Sequence, residues 1–71
     1  MMPLSMVREG EPNVIHKVGG KEETRRFLEN LGFVTGGIVT VVSQTGGNLI
    51  VNVKDARIAI GRDMANKILV G

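Results

Sequence analysis

Apolar residues in this chain fall into short runs separated by glycine or polar pairs, and the period of the pattern changes once. Asn13-Val14-Ile15-His16-Lys17-Val18 alternates as a strand, with Val14, His16 and Val18 on one face and Ile15 on the other. Gly19-Gly20 ends it. From Lys21 to Leu31 the period becomes helical: Thr24, Phe27, Leu28 and Leu31 form a narrow apolar stripe, and Glu22, Glu23, Arg25, Arg26, Glu29 and Asn30 fill the other face. Glu22 stands four residues before Arg26, the favourable order for an ion pair on a helix surface. Acids in the first turn also suit the positive end of the helix dipole.

Gly32 marks the helix end. A left-handed residue is needed just past the last helical position, and glycine takes that conformation without a Cβ penalty. Phe33 then follows, and a Schellman ending lays it against Leu28. The segment Leu28-Glu29-Asn30-Leu31-Gly32-Phe33 therefore predicts a helix stop that folds the chain back onto its own apolar face.

Three β segments come next: Ile38–Ser43, Asn48–Val53 after a turn at Gly46-Gly47, and Arg57–Ile60 after a tight turn at Asp55-Ala56. Leu49, Val51 and Val53 share one face. Gly61–Asn66 predicts a single helical turn, and Lys67–Val70 a last short strand. The expected fold is mainly β: about five short strands, one helix inserted after the first, and a helical turn before the last. So small a meander hides its edges by closing into a barrel, with the last strand paired to the first. The runs Ile38–Val42 and Leu49–Val53 would promote aggregation on open edges, which favours that arrangement.

Composition narrows the function. The chain has 71 residues, room for one domain. It has no Cys, which excludes disulfides, thiolate nucleophiles and Cys-based metal sites. Two Phe and no Tyr or Trp leave no aromatic platform for stacked bases. The net charge is only +2, and the basic residues form no run, so a nucleic-acid partner is not expected. The Met1–Arg8 segment has no features of a secretory signal, and no apolar run reaches the roughly 20 residues needed to span a bilayer. A cytoplasmic domain with no direct membrane insertion is expected.

Four stretches taken in order resemble the FeoA family, the small ferrous iron transport protein A domains. They are Met2-Pro3-Leu4-Ser5 with Gly10 and Val14-Ile15; the Gly-Gly, helix and Leu28-x-x-Leu31-Gly32-Phe33-x-x-Gly36 core; Ile38–Val42; and Arg57–Ile60 followed by Ala65-x-x-Ile68-Leu69-Val70. The resemblance covers nearly the whole chain. One departure is Asp55-Ala56, where the family often has Gly in the tight turn; Asp tolerates left-handed turns better than most residues. The resemblance implies an SH3-like β-barrel. It also implies an accessory role, contact with the cytoplasmic domain of the ferrous iron permease, a membrane protein with a GTPase domain. That partner would recruit the domain to the inner face of the membrane.

The residues carry little reactive chemistry. His16 is the single His and has no His or Cys to share a metal with, so it reads as an ordinary strand position, and no metal site is expected. Gly19-Gly20-Lys21 lacks the spacing of a phosphate loop and reads as a turn into the helix. Ser5 and Ser43 have only His16 available as a base, with no third group placed by pattern. No enzyme activity and no cofactor are expected. The alternative to the adaptor reading is a metal-sensing regulatory module like the C-terminal barrel of iron-dependent repressors. The candidate contact surface is the helix corner: Leu28, Leu31 and Phe33, rimmed by Arg25, Arg26 and Glu29, with Val34 beside them. This corner would bind the permease or a second copy of the domain.

Overall fold

The computed structural model describes all residues, Met1–Gly71. Its elements are β1 (Met2–Pro3), a 3-10 turn (Leu4–Met6), β2 (Pro12–Val18), α1 (Glu22–Leu31), β3 (Ile38–Thr45), β4 (Asn48–Val53), β5 (Ala56–Gly61), α2 (Arg62–Ala65) and β6 (Ile68–Val70). The six strands form one antiparallel sheet in the order β1-β6-β2-β3-β4-β5. The molecule measures 28 × 24 × 23 Å. Six strands laid flat at about 4.8 Å spacing would make a thin slab, so these near-equal dimensions require a sheet curled around its core.

The last strand does pair with the first long one, through Ile15↔Val70, Lys17↔Leu69 and Val18↔Ile68. This pairing does not complete a hydrogen-bonded cylinder, because β1 and β5 end the sheet on either side. The aggregation-prone runs on β3 and β4 lie inside the sheet, each with a strand on both sides. The sixth strand, β1, is two residues long and pairs with β6 through Met2↔Val70 and Pro3↔Leu69. A strand that short has no periodicity to read; it exists because β6 offers it an edge.

Fifteen buried apolar residues form one cluster, among them Leu4, Ile15, Leu28, Phe33, Val39, Val41, Leu49, Val51, Ile68 and Val70. Leu49, Val51 and Val53 alternate inward along β4 as expected. On β2 the expected faces are corrected. Ile15 and Val18 are both buried, whereas Val14 and His16 are exposed. The cause is a bulge: Ile15 faces Val70 and Lys17 faces Leu69, so His16 is the extra residue. One unpaired residue reverses which side chains point inward beyond it. A second irregularity falls between Val41 and Ser43 on β3.

The two hairpin turns use different means. Thr45↔Asn48 flank the glycine pair, and Val53↔Ala56 flank Lys54-Asp55. Both residues of the second turn have positive φ, 49° and 62°. That is the type I′ pattern whose twist suits a two-residue hairpin, built here without glycine. The turn lies one residue earlier than the Asp55-Ala56 expected from sequence.

Candidate functional site

The helix α1 ends as its sequence predicts. Gly32 adopts φ 112° and donates its N–H to the Glu29 carbonyl, while Phe33 donates to the Leu28 carbonyl; both distances are 3.0 Å. These are the two bonds of a Schellman motif. The loop that follows is tied to β2: Gly36 N–H donates to the Ile15 carbonyl and Ile15 N–H to the Gly37 carbonyl, each at 2.8 Å. Phe33 is thereby driven into the core beside Leu28.

This placement divides the expected contact surface. Leu28 and Phe33 are fully buried and present nothing to a partner. Leu31 and Val34 are half-buried, and Arg25 is exposed. Phe27, which the pattern places in the stripe but not at the contact surface, is 51% exposed. At about 100° per residue, Leu28 and Phe27 lie on opposite margins of the stripe, with Leu31 and Thr24 between them. Burial follows that order, complete at Leu28, partial at Thr24 and Leu31, and least at Phe27. The helix is rolled toward its Leu28 side. Its free apolar surface is therefore the Phe27–Leu31 margin, an i,i+4 pair on one face. Arg25 lies on the other flank, about 160° around the helix from Phe27.

The rest of the helix surface is polar or charged. Arg26 Nη2 donates to Glu22 Oε1 at 2.8 Å, in the pairing read from the sequence. Two other features lie near the helix end. Val14 and Ile38, opposite each other on β2 and β3, are 39% and 52% exposed. A shallow groove of about 530 Å³ is lined by Gly32, Ile38, Thr40, Asn52, Lys54 and Asp55, among others. His16 is exposed on its bulge, and no three His, Asp or Glu side chains come together as a metal-holding group. No buried polar side-chain atom lacks a hydrogen-bond partner.

A curled antiparallel sheet with one inserted helix, an apolar helix margin and no cluster of reactive side chains defines a small SH3-like domain. The FeoA domain description matches residues 2–71. The chain is 33% identical over 70 residues to a protein of Methanocaldococcus jannaschii named "Putative Fe(2+) transport protein A", covering 99% of this chain and 85% of that one. It belongs to the FeoA family. The crystal structure of Stenotrophomonas maltophilia FeoA, a zinc complex of what is called a prokaryotic SH3 domain protein, superposes with a TM-score of 0.87 at 28% identity. That match covers 100% of this chain and 91% of the other. A manganese-dependent transcriptional repressor has the same fold over 96% of this chain and 39% of its own, with a TM-score of 0.87 at 18% identity.

Proposed function

We propose that this domain is a non-enzymatic, cytoplasmic accessory of ferrous iron uptake that acts by contact with the cytoplasmic part of the GTPase-containing ferrous iron permease. The contact is the Phe27–Leu31 margin of α1, extended by Val34. Membership of the FeoA family supplies the transport system. The exposure of Phe27, on a helix whose other outward residues are polar or charged, is the observation that carries the surface assignment. An exposed aromatic ring with a polar rim is the anchor on which protein interfaces concentrate their binding energy. The contact must spread beyond the helix. A standard interface takes about 800 Å² from each partner, close to a fifth of this domain's 4337 Å². By binding one conformation of the permease better than another, the domain shifts that partner's equilibrium without chemistry of its own.

The test is capture of the permease's cytoplasmic domain on the immobilised wild-type chain and on Phe27→Asp. Because Phe27 is half in solvent, the variant should fold normally and lose at least tenfold in binding. Equal capture by a folded Phe27→Asp would remove this surface from consideration. Saturable one-to-one binding of ferrous ion by the isolated domain would favour the metal-sensing module instead.

A further inference from the structure

The outer face of the sheet near the end of α1 carries two ordered rows. In one, Val14 opposes Ile38. Continuing the Val39↔Val53 register brings Lys54 beside Ile38. In the other, Thr40 opposes Asn52, and Asn52 opposes Arg57. The first row is apolar and ends in an ammonium. The second is made of hydrogen-bonding groups and ends in a guanidinium. Ile38, Thr40, Asn52 and Lys54 line the shallow groove, with Gly32 and Gly37 on its helix side. Its volume of about 530 Å³ is that of a ligand-holding cleft.

The groove is rich in unused donors. Asn52 Oδ1 accepts from Arg57 Nε at 3.2 Å, which holds the guanidinium beside the row and leaves the Asn52 amide hydrogens and the Arg57 Nη groups free. The one ion pair of the molecule joins Arg26 to Glu22, so neither Lys54 nor Arg57 has a carboxylate partner. Lys54 is exposed, with its stem laid against the helix end: Cδ is 3.4 Å from where a Cβ on Gly32 would stand. Asp55, at the hairpin tip, is the one acid lining the groove and is outnumbered by the two cations.

Resting on the proposed permease contact, we infer that the groove seats an extended acidic segment of the permease, with an apolar side chain on Val14 and Ile38 and a carboxylate two residues along it at Lys54. The spacing fits. An apolar side chain centred between Val14 and Ile38 stands about one and a half strand spacings, roughly 7 Å, from Lys54, and same-side residues of an extended chain are about 6.7 Å apart. A further carboxylate on the segment meets Asn52 and Arg57 in the adjacent row. Val34 joins this groove to the helix margin, because its Cγ2 is 3.5 Å from where a Cβ on Gly37 would stand. The permease contact thus gains area beyond α1, and its charge selects a partner of opposite sign.

Two measurements on the full chain test this. In the first, capture of the permease's cytoplasmic domain is compared for wild type, Lys54→Glu, Arg57→Glu and Asp55→Asn. All three positions are exposed, so the variants should melt like wild type. Each charge reversal should weaken capture by about threefold to tenfold, and Asp55→Asn should leave it equal or tighter. Capture unchanged by both reversals, or tightened by Lys54→Glu and weakened by Asp55→Asn, overturns the inference. In the second, the isotopically labelled chain is titrated by NMR with two end-blocked pentapeptides, Glu-Val-Glu-Val-Glu and Lys-Val-Lys-Val-Lys. The acidic peptide at millimolar concentration should shift the Ile38, Thr40, Asn52 and Lys54 amides, the basic one should not, and added salt should reverse the shifts. No shift with the acidic peptide, or equal shifts with both, refutes the assignment. Shifts that appear with protein concentration alone give the groove to a second copy and refute it too. If the acidic peptide binds in the groove while no permease is captured, the permease reading fails and the groove stands. Capture that depends on Phe27 but on neither Lys54 nor Arg57 has the opposite meaning.

Discussion

Replacing Gly32 with alanine tests whether the helix stop organises the corner that carries Phe27. At φ 112° an L side chain is strained. A left-handed backbone costs a non-glycine residue about 1–2 kcal/mol, and this φ lies beyond the narrow left-handed well near +60°. A Cβ there would stand 3.4 Å from Lys54 Cδ, a flexible neighbour that can yield. The upper figure, about 2 kcal/mol, is therefore expected, a large share of the 3–5 kcal/mol typical of cores this small. With a urea slope of about 1 kcal/mol/M, the midpoint falls by about 2 M. At roughly 4–8 °C per kcal/mol, melting falls by about 10 °C. Gly61→Ala is the matched control, because Gly61 has φ −70° and nothing within 4 Å of an added Cβ. It should be neutral or slightly stabilising. Urea unfolding followed by circular dichroism at 222 nm compares the two. Equal midpoints for Gly32→Ala and Gly61→Ala would refute the claim that the positive φ at Gly32 is an obligatory part of the fold.

Phe33→Ala removes the largest fully buried side chain and should cost about 3–5 kcal/mol; a cooperative native-like melt within a few degrees of wild type would contradict its placement. The paired change Lys54→Asn with Asp55→Gly puts the preferred residues at the two positive-φ positions, and should raise stability by about 1 kcal/mol in the same assay, with no rise counting against the I′ assignment. Glu22→Gln breaks an ion pair whose side chains are 66% and 72% exposed; it should change stability by less than about 0.5 kcal/mol, and a loss above about 1 kcal/mol would mean the pair is coupled to something more.

Where local chemistry was sufficient, the sequence was enough. Helical spacing from Glu22 to Leu31, the glycine after it and the aromatic after that specify a helix and its ending, because every interaction involved spans a few residues. Alternation on β4 likewise predicted its inward face. The ordered glycines, strands and helix also carried the family resemblance. The long-range arrangement was not legible in the same way. His16 sits on a bulge because β2 must match β6, 50 to 55 positions ahead in the chain, and no local pattern records that mismatch. The roll of α1 that buries Leu28 and frees Phe27 depends on the sheet beneath it, and a helical wheel cannot say which margin of a stripe meets the core. Periodicity specifies which residues can share a face; only the packed sheet decides which of those faces is covered, and which strand is left without a neighbour.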